Sequence, residues 1–423
     1  MKIIEFGTTG TEIMKIQAVL KKIGYYTGPI NGIFDSNTKL AIKKLQKHRN
    51  LPITGAIDKA TYYQIKRLIL GYDYYIIQKG DTLFDIAEKY DTTINKIITA
   101  NPHLVPYNLT IGEKIIVPYS IDVVDTNINY TYDILSDDIK GLLARYPFLQ
   151  SGSIGRSVLG RKLYYLKLGR GSNEVFYNAA HHSLEWITSP LLMKFIENFC
   201  KAYSENKYIK GYSIRKIFEK SSIYIVPMVN PDGIDLVLNG LDNNNPYYDD
   251  LIKWNKGSID FSKTWQANIH GVDLNHNYDA SWEESKKAEP LYGVYGPGPT
   301  RYSGPYPESE PESKSVADFT RKHNFRLVLA YHSQGEIIYW NYKNLAPAEA
   351  LKIGKKLSEV SGYSLAEAYG IASYAGYKDW FIKEYRRPGY TIEVGRGKNP
   401  LPISQFDKIY ADNEELLLLA AIV

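Results

Sequence analysis

Cysteine is almost absent. Cys200 is the single one in 423 residues, so no intrachain disulfide can form and no disulfide framework argues for export. It falls at the end of the apolar helical run Leu191–Phe199, where a buried structural thiol is expected. Methionine is scarce as well, with four. No apolar run reaches the roughly 20 residues needed to span a membrane. The apolar tail Leu416–Val423 is too short for that and reads as the end of a packed helix. The start, Met1-Lys-Ile-Ile-Glu-Phe-Gly7, lacks an apolar signal core and a small-residue cleavage site. A strong charge of one sign is missing too, since the formal net charge is only +5. No basic-aromatic cluster forms a nucleic-acid motif, so nucleic acid is not an expected partner.

What is present is an ordinary globular composition, 44% hydrophobic and 23% charged, over a length that calls for more than one domain. Tyrosine is abundant at 37, which suits ring-stacking or carbohydrate-facing surfaces and equally a compositional bias. The charge is uneven. Residues 1–120 carry 16 basic and 10 acidic side chains, +6, which leaves about −1 for the rest. A mildly basic front end suits an anionic polymer.

Residues 1–70 read as a small three-helix domain. Ile13, Ile16, Leu20 and Ile23 fall at helical spacing, and a glycine-punctuated turn runs from Gly24 to Asp35. A second helix carries Thr38, Ala41, Ile42, Leu45 and Gln46, and a third starts near Asp58, a plausible N-cap. This pattern resembles the peptidoglycan-binding domain found beside many cell-wall hydrolases. Residues 74–118 run from Tyr75-Ile-Ile-Gln-Lys-Gly-Asp-Thr-Leu83 through Asn101-Pro102 to Ile111-Gly-Glu-Lys-Ile-Ile-Val-Pro118. They resemble a LysM domain, a βααβ module in which Asp81 or Thr82 can cap the first helix. LysM modules bind N-acetylglucosamine glycans, so the resemblance implies chitin or, beside the first module, peptidoglycan glycan strands.

Residues 119–130 read as a polar linker. From 131 to 423 the chain alternates strand-like and helical runs, which predicts an α/β domain with a mixed twisted sheet flanked by helices. Ligands in such sheets bind at the carboxyl ends of strands. Directly after the run Val175–Ala180 come His182 and Glu185, an HxxE. Imidazole and carboxylate are usual ligands of catalytic zinc, and two so close can grip one ion. Alone, an HxxE is more often a packed histidine with a solvated charge. Glu393 lies inside the apolar strand Tyr390–Val394, where a carboxylate is costly unless paired or used.

Four further segments accompany them: Asn230-Pro-Asp-Gly233, Asp273-Leu-Asn-His-Asn277, His332 after an apolar run, and Glu393. With HxxE they appear in the order found in zinc carboxypeptidases of the carboxypeptidase A type, which the 131–423 region resembles. The resemblance implies one zinc ion held by His182, Glu185 and His332, with Glu393 as general base and then general acid. Asn275 would help hold a substrate carboxylate, and His181 would lie behind the ligands. The departures matter. His276 stands where digestive members have an arginine, and no tyrosine falls at the matching place near Asp379–Ile382. No arginine precedes Asp273 between Phe261 and His270, so Lys263 and His270 are the cationic candidates there. Arg386 and Arg387 are offered as carboxylate-binding replacements, against the simpler reading of a solvated pair. This pattern is similar to bacterial γ-D-glutamyl-meso-diaminopimelate peptidases, which implies peptidoglycan stem peptides as substrate. Alternatives are a general carboxypeptidase and a non-catalytic wall-binding protein. Wall-binding modules predict a cell-wall or spore-associated location, with cytoplasmic recycling of wall peptides also open. Nothing in the sequence sets the oligomeric state.

Overall fold

The computed structural model describes residues 3–423 and divides into two compact units, residues 1–129 with 133–149, and residues 130–132 with 150–423. In the first, helices α1 (Thr11–Lys22), α2 (Ser36–His48) and α3 (Lys59–Leu70) enclose Ile13, Ile16, Leu20, Ile42, Leu45 and Ile65. Two buried glutamines tie its turns. Gln17 Oε1 accepts from the Asn31 and Gly32 amides at 3.0 and 2.9 Å. Gln46 does the same for the Gly55 amide at 2.9 Å. Asp35 and Asp58 cap α2 and α3 by accepting from the Thr38 and Thr61 amides, both at 2.8 Å, so the expected cap at Asp58 is observed.

The chain continues as strand β1 (Tyr72–Ile76), helices α4 (Leu83–Lys89) and α5 (Ile94–Ala100), and strand β2 (Lys114–Pro118), antiparallel to β1. Thr82, not Asp81, caps α4, accepting from the Asp85 amide at 3.1 Å, whereas Asp81 accepts from the Gln78 amide. Asn101 clamps the module shut, donating to the Ile97 and Ile116 carbonyls at 2.7 Å each and accepting from the Ile116 amide at 2.9 Å. The stretch read as a linker is packed, with Tyr119, Val123, Val124 and Ile128 buried. Helix α6 (Tyr132–Arg145) belongs almost wholly to this first unit, where its Asp137 pairs with Lys15 and Lys66 at 2.7 and 2.6 Å.

The second unit is built on an eight-stranded mixed sheet. Its strands are β3 (Gln150–Arg156), β4 (Lys162–Leu168), β5 (Asn173–Ala179), β8 (Ser221–Val226), β9 (Leu327–His332), β10 (Ile337–Tyr339), β11 (Ser364–Ala366) and β12 (Gly389–Glu393). Strands β6 (Tyr208–Ile209) and β7 (Tyr212–Ser213) form a separate short hairpin. The sheet order is β11-β10-β12-β9-β5-β8-β4-β3. The four central strands, β12, β9, β5 and β8, run parallel to one another. Strands β8 and β9 are buried along their whole length, as expected for strands covered on both faces. Helix α7 (Thr188–Ser204) packs with this unit and buries Cys200. The C-terminal helix Phe406–Ala420 buries Leu416, Leu417 and Leu418, so the apolar tail is indeed a packed helix end. Among the described residues no helix is long and apolar enough to cross a membrane.

Candidate metal centre

The parallel pairing brings the carboxyl ends of β5, β9 and β12 side by side. In register, Glu393 sits opposite His332, the last residues of their strands. After β5 the chain turns into a short 3-10 helix, Ser183–Glu185, which puts His182 at its start and Glu185 at its end. Asn230 holds this turn from behind, donating to the His181 carbonyl at 3.0 Å and the Ser183 hydroxyl at 3.3 Å. The donor atoms of His182, Glu185 and His332 all lie within 4.8 Å of one another. His182 Nδ1 is 2.9 Å from one Glu185 oxygen, and His332 Nδ1 is 2.9 Å from the other.

Two imidazole nitrogens and a carboxylate turned on a common point are the donor set of a catalytic zinc. The electrostatics agree. Burial would raise the Glu185 pKa, but the two imidazoles override it and hold the carboxyl at about 2. Burial would lower His182, yet Glu185 and Asp273 pull it well above its ordinary value. The buried Glu185 carboxylate thus stays ionised and available to a cation, and a metal ion would take the place of the proton on His182. Glu393 is the counterpart. Burial, reinforced by the Glu185 charge, raises its pKa well above the ordinary carboxyl range.

Two side chains that complete the site, Asp273 and Asn399, were given no role by the sequence reading, whereas His181 takes the place expected of it. Asp273 Oδ1 lies 3.0 Å from His182 Nε2, which fixes the ring so that Nδ1 faces the site. Asn399 donates to Glu185 Oε1 at 3.3 Å and to the Ser333 carbonyl at 2.6 Å. His181 lies behind the ligands, its Nε2 2.8 Å from the Tyr278 hydroxyl and its ring stacked on His332. Asp273 was in view within its motif, whereas the Asn399 contact spans 214 residues and left no local signal.

The proposed carboxylate-binding residues divide. Asn275 Oδ1 accepts from the Tyr377 amide at 3.0 Å, and its Nδ2 has no hydrogen bond among the described residues. His276 sits beside it, 3.3 Å from the Ser285 hydroxyl, and burial lowers its pKa. Arg386 and Arg387 are misplaced by the sequence reading. They precede β12 at its amino end, and Arg387 donates to the Phe325 carbonyl at 2.8 Å. Five residues lie between Arg387 and Glu393, so the two are about 20 Å apart along extended chain. His270 is not a free cation either, because Glu310 and Tyr247 engage both ring nitrogens at 2.8 and 3.0 Å.

Residues 135–416 match the profile of the zinc carboxypeptidase family, residues 9–65 a putative peptidoglycan binding domain, and residues 75–118 a LysM domain. The chain therefore belongs to the zinc carboxypeptidase family, and it is a zinc metallopeptidase with peptidoglycan-binding and LysM modules in front. It is 45% identical to gamma-D-glutamyl-L-diamino acid endopeptidase 1 of Lysinibacillus sphaericus, over 67% of this chain and 70% of that protein. It is 40% identical to an uncharacterized protein of Bacillus subtilis, over 66% of this chain and 74% of the other. Carboxypeptidase A from Helicoverpa armigera shares the fold, with a TM-score of 0.53 at 18% identity, covering 70% of this chain and 74% of that one.

Proposed function

We propose that the protein hydrolyses the γ-D-Glu–meso-diaminopimelate bond of peptidoglycan stem peptides. The observation that carries this reading is the register pairing of Glu393 with His332, which sets a raised-pKa carboxylate against the His182–Glu185–His332 cluster. Zinc held by these three residues supplies a Lewis acid for the scissile carbonyl and acidifies water at the site. Glu393 takes the proton of the attacking water and delivers it to the leaving amine, a role favoured by a carboxyl whose pKa burial raises above its ordinary range. Asp273 keeps His182 in the tautomer that presents Nδ1, and Asn399 steadies Glu185.

Three features favour a wall peptide over an ordinary protein C-terminus. The 45%-identical relative is named for cleavage at γ-D-glutamyl bonds. His276 replaces the arginine expected for gripping a C-terminal carboxylate. The front modules are of wall-binding type and raise the local concentration of stem peptides. The same modules support action at the cell wall or spore wall. The rival is a general carboxypeptidase. Comparing L-Ala-γ-D-Glu-meso-diaminopimelate with a peptide ending in Phe separates the two: our reading expects turnover of the first and little of the second, and the reverse ranking defeats it.

A further inference from the structure

The stem peptide carries free carboxylates on both sides of its scissile amide: the α-carboxylate of γ-linked D-Glu, and those of diaminopimelate. A site that selects it needs a cation close to the cleavage point. The cations offered by sequence do not serve, since His270 is engaged, His276 is held toward its neutral form, Arg386 and Arg387 lie at the wrong end of β12, and Lys263 is exposed with no hydrogen bond to the cluster or to Asp273. Arg396 is paired with Glu336 at 2.6 Å, and the buried Lys378 with Asp379.

Arg301 differs from all of these. Its amide donates at 2.9 Å to Asp273 Oδ2, on the carboxylate whose other oxygen holds His182. The preceding Thr300 hydroxyl reaches Gln266 Oε1 at 2.8 Å and Asp273 Oδ2 at 3.3 Å. The backbone at Arg301 has φ +64°, a left-handed conformation that a non-glycine residue keeps only when its surroundings hold it. The side chain is exposed, and its guanidinium carbon lies 4.8 Å over the Tyr292 ring. No carboxylate among the described residues pairs with it. Its charge is felt at the His276 imidazole, beside Asn275. A guanidinium is thus anchored through its backbone to the support of a metal ligand, steered by an aromatic face, and left without a counter-ion.

We propose that Arg301 is a specificity residue that binds a free substrate carboxylate next to the scissile bond. This rests on the substrate reading above. A guanidinium presents paired donors that match a carboxylate and not a carboxamide. The test compares three peptides: L-Ala-γ-D-Glu-meso-diaminopimelate, its D-Glu α-carboxamide, and its diaminopimelate distal carboxamide. Each is assayed with the zinc-loaded full chain, with Arg301→Asn, which tolerates the left-handed backbone, and with Arg301→Lys. The wild type should prefer the acid over one of the amides by about 10- to 100-fold in kcat/KM. Arg301→Asn should abolish that preference and leave the ratio for the other amide unchanged, and Arg301→Lys should keep part of it. The arm that collapses identifies the carboxylate. Equal losses on all three peptides, an unchanged preference, or a wild type indifferent to amidation, in proteins that retain zinc, overturns the inference. A wild type that cleaves none of the three defeats the substrate reading itself, and the inference falls with it.

Discussion

His182 Nε2 lies 3.0 Å from the Asp273 carboxylate while His182 Nδ1 faces Glu185, so one imidazole links the metal site to the loop that carries Asn275, His276 and, through Asp273, Arg301. Asp273→Asn removes the charge and presents an amide where His182 Nε2 needs an acceptor. Zinc affinity should drop about 10- to 100-fold. Chelator competition measures this directly, and unchanged affinity would show that Asp273 does not orient the ligand.

His332→Ala and Glu393→Gln should separate binding from chemistry. His332 is one of the three proposed zinc ligands, so its loss should leave the purified protein without stoichiometric zinc. Glu393 lies outside the proposed ligand set, so Glu393→Gln should keep zinc while kcat falls by about 10²- to 10⁴-fold. Metal analysis alongside single-turnover assays checks both. A Gln variant with wild-type turnover would remove Glu393 from its role.

A third expectation concerns pH and stability. Glu312 is buried and accepts from the Val158 amide and from Asn268, both at 3.1 Å. Burial, with the Asp232 charge adding to it, outweighs those bonds and raises its pKa from 4.5 to about 7. A raised pKa means that the folded protein holds this proton more tightly than the unfolded chain. The stabilisation is therefore complete below pH 4.5 and lost as pH rises through about 7, a swing on the order of 3 kcal/mol. Glu312→Gln should flatten the dependence of the melting midpoint across that window. Parallel curves for variant and wild type would contradict the assignment.

The LysM module offers a groove of about 690 Å³ bordered by Gly80, Thr82, Phe84, Tyr107 and Asn108. Tyr107 is fully exposed there, and its ring is placed to stack on a sugar. Tyr107→Ala should weaken retention on insoluble peptidoglycan by up to about tenfold and leave kcat on soluble stem peptides unchanged. Sedimentation binding alongside soluble-substrate kinetics reads the two effects separately.

The metal site was legible because its parts are short-range or ordered. His182 and Glu185 share one turn, and His332 and Glu393 each follow or close an apolar strand. Their meeting was not legible, since it depends on β12 pairing parallel with β9 across some 60 residues of intervening chain. The same topology misled the reading of Arg386 and Arg387. They are near Glu393 in sequence, but an extended strand carries neighbours apart. Arg301 and Asn399 were passed over because they sit in irregular loops, where no periodicity marks a contact. Residues 119–130 looked like a polar linker because Val123, Val124 and Ile128 are too few and too unevenly spaced to register as an element, although all three are buried.

The most direct test of the account is mass spectrometry of the products from the tetrapeptide L-Ala-γ-D-Glu-meso-diaminopimelyl-D-Ala. A carboxypeptidase and a γ-D-glutamyl endopeptidase cut this molecule at different bonds. The account predicts L-Ala-D-Glu and diaminopimelyl-D-Ala, formed by the zinc-loaded protein and not by Glu393→Gln. Release of free D-Ala with the tripeptide left intact would contradict it.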